Sequence, residues 1–453
     1  MMKAKKTLAI LLASAMACSL AACGSGSSQT GSTSGSSSET ATDSAAAGDI
    51  TDYGGITLTM MNSKPEIQDA LEEVTAAWGE THNVKFEVYE TDAPGDMLAQ
   101  RYAAGDPPVL AICDPTNVSE MGAEKFLDMS GEDWVADGGD KMGTKVGDAL
   151  YGFPLCVEAP SIVYNKTAIE EVIGRDFVPA EYATIEEFSV LLEELRAGGM
   201  ENPVIVNKED WALGGQLLRN LYVLQDGTAN GAYQFIKDLQ GGASLMDNQG
   251  FQDLFKDYDL FIEYNINKAD PLAADYDLNA SYISEGEGAF WISGSWVWPD
   301  MVDFVDDSME YGIMPLPADG EAVSGKVFAY ATKQIAVDKE VATEEQQAAA
   351  LDFLNWLVYS EEGQDALANK LEIVVAFTNS TKEPTNPLNV ALKSYIDAGN
   401  TINNAPFAVP NDHTQEMAPH MQAYMVGQES LEEVADAVTT YWSTRNPAGA
   451  EAE

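Results

Sequence analysis

The run Leu20-Ala21-Ala22-Cys23 puts a thiol at the end of an exportable leader, flanked by small residues, where a cysteine is exposed by cleavage and acylated. Lys3, Lys5 and Lys6 form the positive end of that leader, and Leu8 to Leu20 is an apolar stretch too short to span a bilayer as a mature helix. Residues 1–22 read as a signal peptide and Cys23 as a lipidation site. Other covalent chemistry is poorly represented. Cys18 leaves with the leader, so Cys113 and Cys156 remain with His82, His413 and His420, and these five match no metal-ligand spacing. No metal or cofactor is expected. One bridge between Cys113 and Cys156 and two separate buried thiols both fit the spacing. There is no Gly-x-Ser-x-Gly elbow, no His-Glu-x-x-His helix and no phosphate loop. With 73 Asp and Glu, a carboxylate pair at any separation can be found, so such a pair is no signature of glycoside cleavage.

The 453 residues are 45% hydrophobic and 21% charged, ordinary globular material long enough for two or three lobes. The formal net charge of −49 deepens when the leader removes three lysines, which makes nucleic acid and an anionic membrane surface poor partners for the folded part. Most of this acid serves solubility. Gly24 to Gly48 is almost entirely Ser, Gly, Thr and Ala, a composition that buries no core and behaves as flexible coil. Residues 23–48 therefore form a lipidated cysteine and its linker, which leave the protein on the outer face of the membrane, held by its anchor only. The diacylglyceryl group implied by the resemblance of Leu20–Cys23 to a lipobox supplies two chains, enough for stable attachment.

Beyond the linker the pattern alternates. Ile56 to Met61 reads as a strand, and Ser63-Lys64-Pro65-Glu66 as a capping box with proline in the first turn. Ile67, Leu71, Val74 and Trp78 then sit at helical spacing, and Val84 to Tyr89 is a strand, so the opening is a β-α-β unit. Val109 to Cys113 is a buried strand that delivers Asp114 to its carboxyl end, the side of an open α/β sheet where ligands bind. Thr184-Ile185-Glu186-Glu187 caps a helix through Phe188, Leu191, Leu192 and Leu195, stopped by Gly198-Gly199 and followed by the strand Val204 to Val206. Thr343-Glu344-Glu345-Gln346 and Ser430-Leu431-Glu432-Glu433 open two further helices. The class is α/β.

Two segments stand out: Tyr151-Gly152-Phe153-Pro154-Leu155-Cys156-Val157-Glu158-Ala159-Pro160-Ser161-Ile162-Val163-Tyr164-Asn165-Lys166, and Ala289-Phe290-Trp291-Ile292-Ser293-Gly294-Ser295-Trp296-Val297-Trp298. Together they resemble the maltose-binding proteins, and the chain from about Ile56 to Trp442 resembles the extracellular solute-binding lipoproteins of sugar ABC importers. Tyr311-Gly312-Ile313-Met314-Pro315-Leu316-Pro317, the helix Ala348 to Tyr359 with Ser360-Glu361-Glu362-Gly363, and Gly427-Gln428-Glu429-Ser430-Leu431-Glu432-Glu433 extend the match. The resemblance implies a two-lobed periplasmic-binding-protein-like fold with several chain crossings and an interlobe ligand cleft. Residues 49–157 plus 331–376 would form lobe one, 158–330 plus 377–445 lobe two, and 446–453 a tail. Crossings are expected near Cys156 to Ala159, Val327 to Tyr330 and Val374 to Phe377.

Sugar binding needs flat aromatic faces and planar polar groups. By the resemblance, Trp296 stacks on a sugar ring and Trp211, behind the acidic Glu209, offers a second aromatic. Glu158 matches the hinge glutamate that takes hydroxyls, and Asn62 and Lys64 match polar ligands at the end of the first strand. Trp298 is read as packing, since a helical turn would send it away from Trp296. Asp114 departs from the pattern, because Ile112-Cys113-Asp114-Pro115-Thr116 lacks an aromatic and an Asp-Arg pair found there in the family. His413 and Thr414 fall near a further stacking position that stays open, with Phe407 or Tyr424 as alternatives. The implied mechanism is capture by closure of a monomer around an oligosaccharide, malto-oligosaccharide by the closest motifs, followed by docking on the permease subunits. No bond is broken, so no enzyme activity is expected; a secreted lipoprotein glycosidase and a surface glycan adhesin are the alternatives.

Overall fold

The computed structural model describes residues 50–306, 308–402 and 408–447. The leader, Cys23 with its linker, and Phe407 lie outside the described residues. Among the latter the strands, in chain order, are β1 (Ile56–Asn62), β2 (Val84–Glu90), β3 (Leu110–Cys113), β4 (Lys145–Val146), β5 (Ala149–Leu150), β6 (Phe153–Glu158), β7 (Pro160–Asn165), β8 (Val204–Val206), β9 (Phe290–Gly294), β10 (Tyr311–Met314), β11 (Val327–Phe328), β12 (Tyr330–Val337) and β13 (Thr401–Ile402). Two sheets carry the architecture. One has the order β2-β1-β3-β12-β6 and the other β10-β7-β9-β8.

In the first sheet β1 runs parallel to β2 and β3, and β12 runs antiparallel to both β3 and β6. The helix Gln68–His82 covers it with Leu71, Val74 and Trp78, and the Trp78 ring meets Phe353 edge-on at 5.4 Å. The predicted β-α-β opening is present, but its helix starts differently. A 3-10 turn, Pro65–Ile67, precedes it, and the buried Ser63 hydroxyl has no hydrogen-bond partner. The capping box fails because Glu66 turns to the Lys64 ammonium at 2.5 Å, while Asn62 accepts from the Lys64 amide at 2.9 Å. The boxes at Thr184, Thr343 and Ser430 form as predicted. The helix Ile185–Ala197 ends where Gly199 takes φ +109, a conformation that favours glycine.

The second sheet is fully covered on β8 and β9 and shares a core with Phe188, Leu191, Leu192 and Leu195 of that helix. The chain changes sheets across Ala159, between the last residue of β6 and the first of β7. It returns after β11, which pairs with β13, when Tyr330 opens β12 opposite Glu158. Val374 bridges Val157 beside this junction, and the helix Pro387–Asp397 that follows packs by β10. The result is a two-lobed α/β protein with no long linker between the lobes.

Both folded cysteines are free and buried. Cys113 pairs across to Gln334 and Cys156 to Lys333, so β12 lies between them. Two interstrand spacings put them about 9–10 Å apart, beyond the reach of a disulfide. The reading as two separate buried thiols is therefore the correct one of the pair.

Candidate functional site

The junction strands place a charged floor between the lobes. Glu158, at the end of β6, accepts from the Lys64 ammonium at 2.5 Å and from the Thr332 hydroxyl of β12. Burial alone would depress the Lys64 pKa, but the carboxylates of Glu158 and then Glu66 outweigh it and hold the ammonium well above its ordinary value. Burial likewise pushes Glu66 upward, and Lys64 reverses it, leaving Glu66 below the usual carboxylate range. Removing either partner would leave a buried charge uncompensated. Asn62 is fully buried and turns inward, its amide donating to the Lys64 carbonyl at 2.9 Å and to Gln68 at 3.0 Å. That side chain shapes the turn that aims Lys64.

Asp114 caps the helix Pro115–Lys125 and pairs with Lys333 of β12 at 2.7 Å. Burial acts to lower the Lys333 pKa, and Asp114 overrides it. Lys333 also lies in the field of Glu66 and Lys64, so Asp114 joins the same charged band.

The opposite wall is aromatic. β9 ends at Gly294, a 3-10 turn Ser295–Val297 follows, and Trp298–Met301 is helical. Trp296 folds back over Gly294, where any Cβ would collide with its indole. Trp211 heads the wide helical turn Trp211–Leu217, is 37% exposed, and meets Trp296 at 6.4 Å and 75°. Tyr276 stands edge-on to Trp211 at 5.8 Å and donates to Asp300 at 3.1 Å. Burial raises the Asp300 carboxyl to about 6. Glu209 is drawn to its neighbour Lys208, whose ammonium lies 3.1 Å away. Trp298 packs on Tyr311 at 5.9 Å, away from Trp296, as the helical turn predicts.

Lys64, Glu66 and Ile67 of the first lobe, Glu158 at the junction, and Ser295, Trp296 and Pro299 of the second line one cavity. Glu372, with φ +51, and Asn386 close its side. The space enclosed is about 10 Å³, room for about one water and none for a sugar ring. Walls from the two lobes meet at this cavity. A much larger groove, about 590 Å³, lies on the second lobe between Gln225 and Asn248 and shares no residue with this cavity. It lacks aromatic faces other than Phe235 and draws on one lobe.

The lobes also touch beside Asp114. Asn411, just ahead of the helix His413–Met425, accepts from the Asn117 amide at 3.0 Å. Its own backbone amide donates to Glu120 at 3.0 Å, and its side-chain amide donates to the other Glu120 oxygen. His413 is sealed in the second lobe, 2.7 Å from the Tyr222 hydroxyl, and Tyr424 donates to Asp259. Neither side chain reaches the cavity, and Thr414 packs on Gly215.

Five residues of the site carried no functional reading in the sequence. Glu66 reads in the sequence as part of a helix cap. Thr332 and Lys333 follow the junction residue Tyr330 by two and three positions, a placement informative only once β12 is paired with β6. Asp300 stands one helical turn beyond Trp296, and Tyr276 had no local signal. Among the described residues no group of three or more His, Cys, Asp or Glu converges as a metal site, and no helix is long and apolar enough to cross a membrane.

Solved structures share this fold. RafE in complex with raffinose superposes with a TM-score of 0.70 at 19% identity, covering 85% of this chain and 98% of that one. A manno-oligosaccharide-specific solute-binding protein from Bifidobacterium animalis, in complex with mannotriose, gives 0.64 at 15% identity over 85% and 93% of the two chains. In sequence, the Multiple sugar-binding protein of Streptococcus mutans is 24% identical over 269 residues, 58% of this chain and 62% of that protein. The match spans less than two thirds of that relative. The family model for the bacterial extracellular solute-binding proteins matches residues 64–365, from Lys64 through the second sheet, the junction and most strands of the first sheet, and the chain belongs to that family.

Proposed function

We propose that this protein is the extracellular sugar receptor of an ABC importer, capturing an oligosaccharide between its lobes and handing it intact to the permease. The observation that carries this reading is the pairing, across one cavity, of the Trp296 indole with the buried Lys64–Glu66–Glu158 cluster. An aromatic face takes the C–H side of a pyranose, and carboxylates accept from its hydroxyls. Trp211 extends the stacking surface, while Glu209, Asp114 and the turn built by Asn62 complete the polar set. Closure requires contacts that differ between open and shut forms, and groups from both lobes supply them. The relatives named above, solute receptors for raffinose and mannotriose among them, support a carrier that breaks no bond.

Residues 49–157 with 331–376 form the first lobe of this receptor, and 158–330 with 377–445 the second. Cys23 is its lipid anchor and residues 24–48 its stalk, on the extracellular face of the cell membrane. Malto-oligosaccharide is the first ligand to try, on the strength of the Val157-Glu158-Ala159 and Gly294-to-Trp298 motifs.

Thermal shift over a glycan panel tests the reading. A bound sugar raises the melting temperature by mass action, and Trp296→Ala abolishes that shift while leaving the unliganded melting temperature within a few degrees. A panel in which no oligosaccharide stabilises the protein, or an unchanged shift in Trp296→Ala, overturns it.

A further inference from the structure

The Asn411 contacts join parts of the chain that no sheet connects. Asn117 and Glu120 belong to the helix Pro115–Lys125, which packs on β12 of the first sheet. Asn411 leads the helix His413–Met425, which packs on Trp211–Leu217 of the second lobe. Three hydrogen bonds cross this gap, and the two from Asn411 to Glu120 end on a carboxylate, the stronger kind. Both oxygens of one carboxylate are engaged by one residue, through its backbone and its side chain. These bonds join the two lobes directly, so a movement that parts the lobes at this point must break them.

Asn117 has a second duty. Its side-chain oxygen accepts from the Asp114 backbone amide at 3.0 Å while its nitrogen donates to Asn411. The amide thus ties the residue that holds Lys333 to the opposite lobe. It is 4% exposed, sheltered at this contact.

We propose that Asn411 is an interlobe latch that, with Glu120 and Asn117, biases the protein toward its shut form before any ligand arrives and fixes Asp114 in place when it does. Asn411 is a positioning residue: it lines no part of the cavity and acts through Asn117. The inference deepens the receptor reading by naming what sets the population of the binding-competent form. Ligand affinity scales with that population, so weakening the latch weakens binding without touching a ligand contact.

The test needs no sugar, so its result stands apart from the outcome of the glycan panel. Small-angle scattering of the ligand-free protein is compared for wild type, Asn411→Ala, Asn411→Asp and Glu120→Gln. The expected order of radius of gyration is Asp largest, because a carboxylate facing Glu120 repels it, then Ala, with Glu120→Gln between Ala and wild type because its amide keeps one accepting oxygen and turns a donor toward the second Asn411 N–H. Melting temperatures should stay within a few degrees, which separates a latch from a merely structural residue. For any glycan found to bind, the affinity of Asn411→Ala falls about tenfold, through a loss of pre-closed protein of the same factor. Identical scattering curves for wild type, Asn411→Ala and Asn411→Asp overturn the latch. A loss of glycan affinity without expansion of the ligand-free variants overturns it as well. If no glycan binds but the variants expand in the stated order, the latch holds and only the sugar reading fails.

Discussion

Asp300 follows Trp296 by about one helical turn, with Tyr276 donating to it and the charges of Glu66, Lys64 and Asp277 in range. Burial raises its carboxyl from 3.8 to about 6, so its contribution to stability is fully present below the unfolded value and is lost as pH rises through about 6. Asn in its place keeps an acceptor for Tyr276 and never ionises. Asp300→Asn should therefore stabilise the unliganded protein by about 1–2 kcal/mol at pH 7.5, a figure reduced for partial exposure, and by almost nothing near pH 3.5. Chemical denaturation at the two pH values measures it, and an equal effect at both would show that burial does not raise the carboxyl. This residue was invisible in the sequence for a plain reason. One acid among 73 stands out only when the fold buries it and brings the Tyr276 hydroxyl, 24 residues earlier in the chain, to its side.

Elements that rest on local rules were legible. The boxes at Thr184, Thr343 and Ser430 satisfy the first amides of their helices with side chains three residues apart, so sequence spacing is enough to see them. The box at Ser63 had the same spacing and did not form, because a buried ammonium from the neighbouring residue competes for the glutamate. An ion pair within the same turn overrode the capping preference at the point where the site is built. The turn that carries Trp211 rests instead on a contact distant in the chain. Gly214, in the same turn, lies against the backbone of Thr414 and Ala418, each 2.7 Å from where a Cβ would stand. Neither backbone can yield cheaply. Gly214→Ala should cost on the order of 1–3 kcal/mol in stability and weaken glycan binding as Trp211 shifts. Unfolding curves with calorimetry of the bound sugar check this, and an unaltered protein would mean that the turn does not rest on that helix.

At the scale of the molecule, the second lobe is locked by a buried polar cluster. His413 meets the Tyr222 hydroxyl at 2.7 Å, and the Trp442 indole donates to the same hydroxyl at 3.0 Å. Burial lowers the His413 pKa to about 3, so the ring is neutral in the folded protein. Its contribution to stability is present above the unfolded value of 6.5 and declines as pH falls toward about 3. Between pH 6.5 and 4 stability should drop by about 1–3 kcal/mol through this group, and His413→Gln should flatten that part of the pH profile. A profile equally steep in the variant would assign the acid sensitivity elsewhere.

The placement of Cys113 and Cys156 on either side of β12 has a practical result. Both sulfurs are sealed inside the first lobe, and burial lifts the Cys156 thiol to about 12, so neither offers a thiolate at neutral pH. Within the described fold, a single cysteine introduced by design at the rim of the cleft would be the one open to a maleimide dye. The native thiols need not be removed, and the folded body comes ready for conversion into a fluorescent reporter of its own opening and shutting.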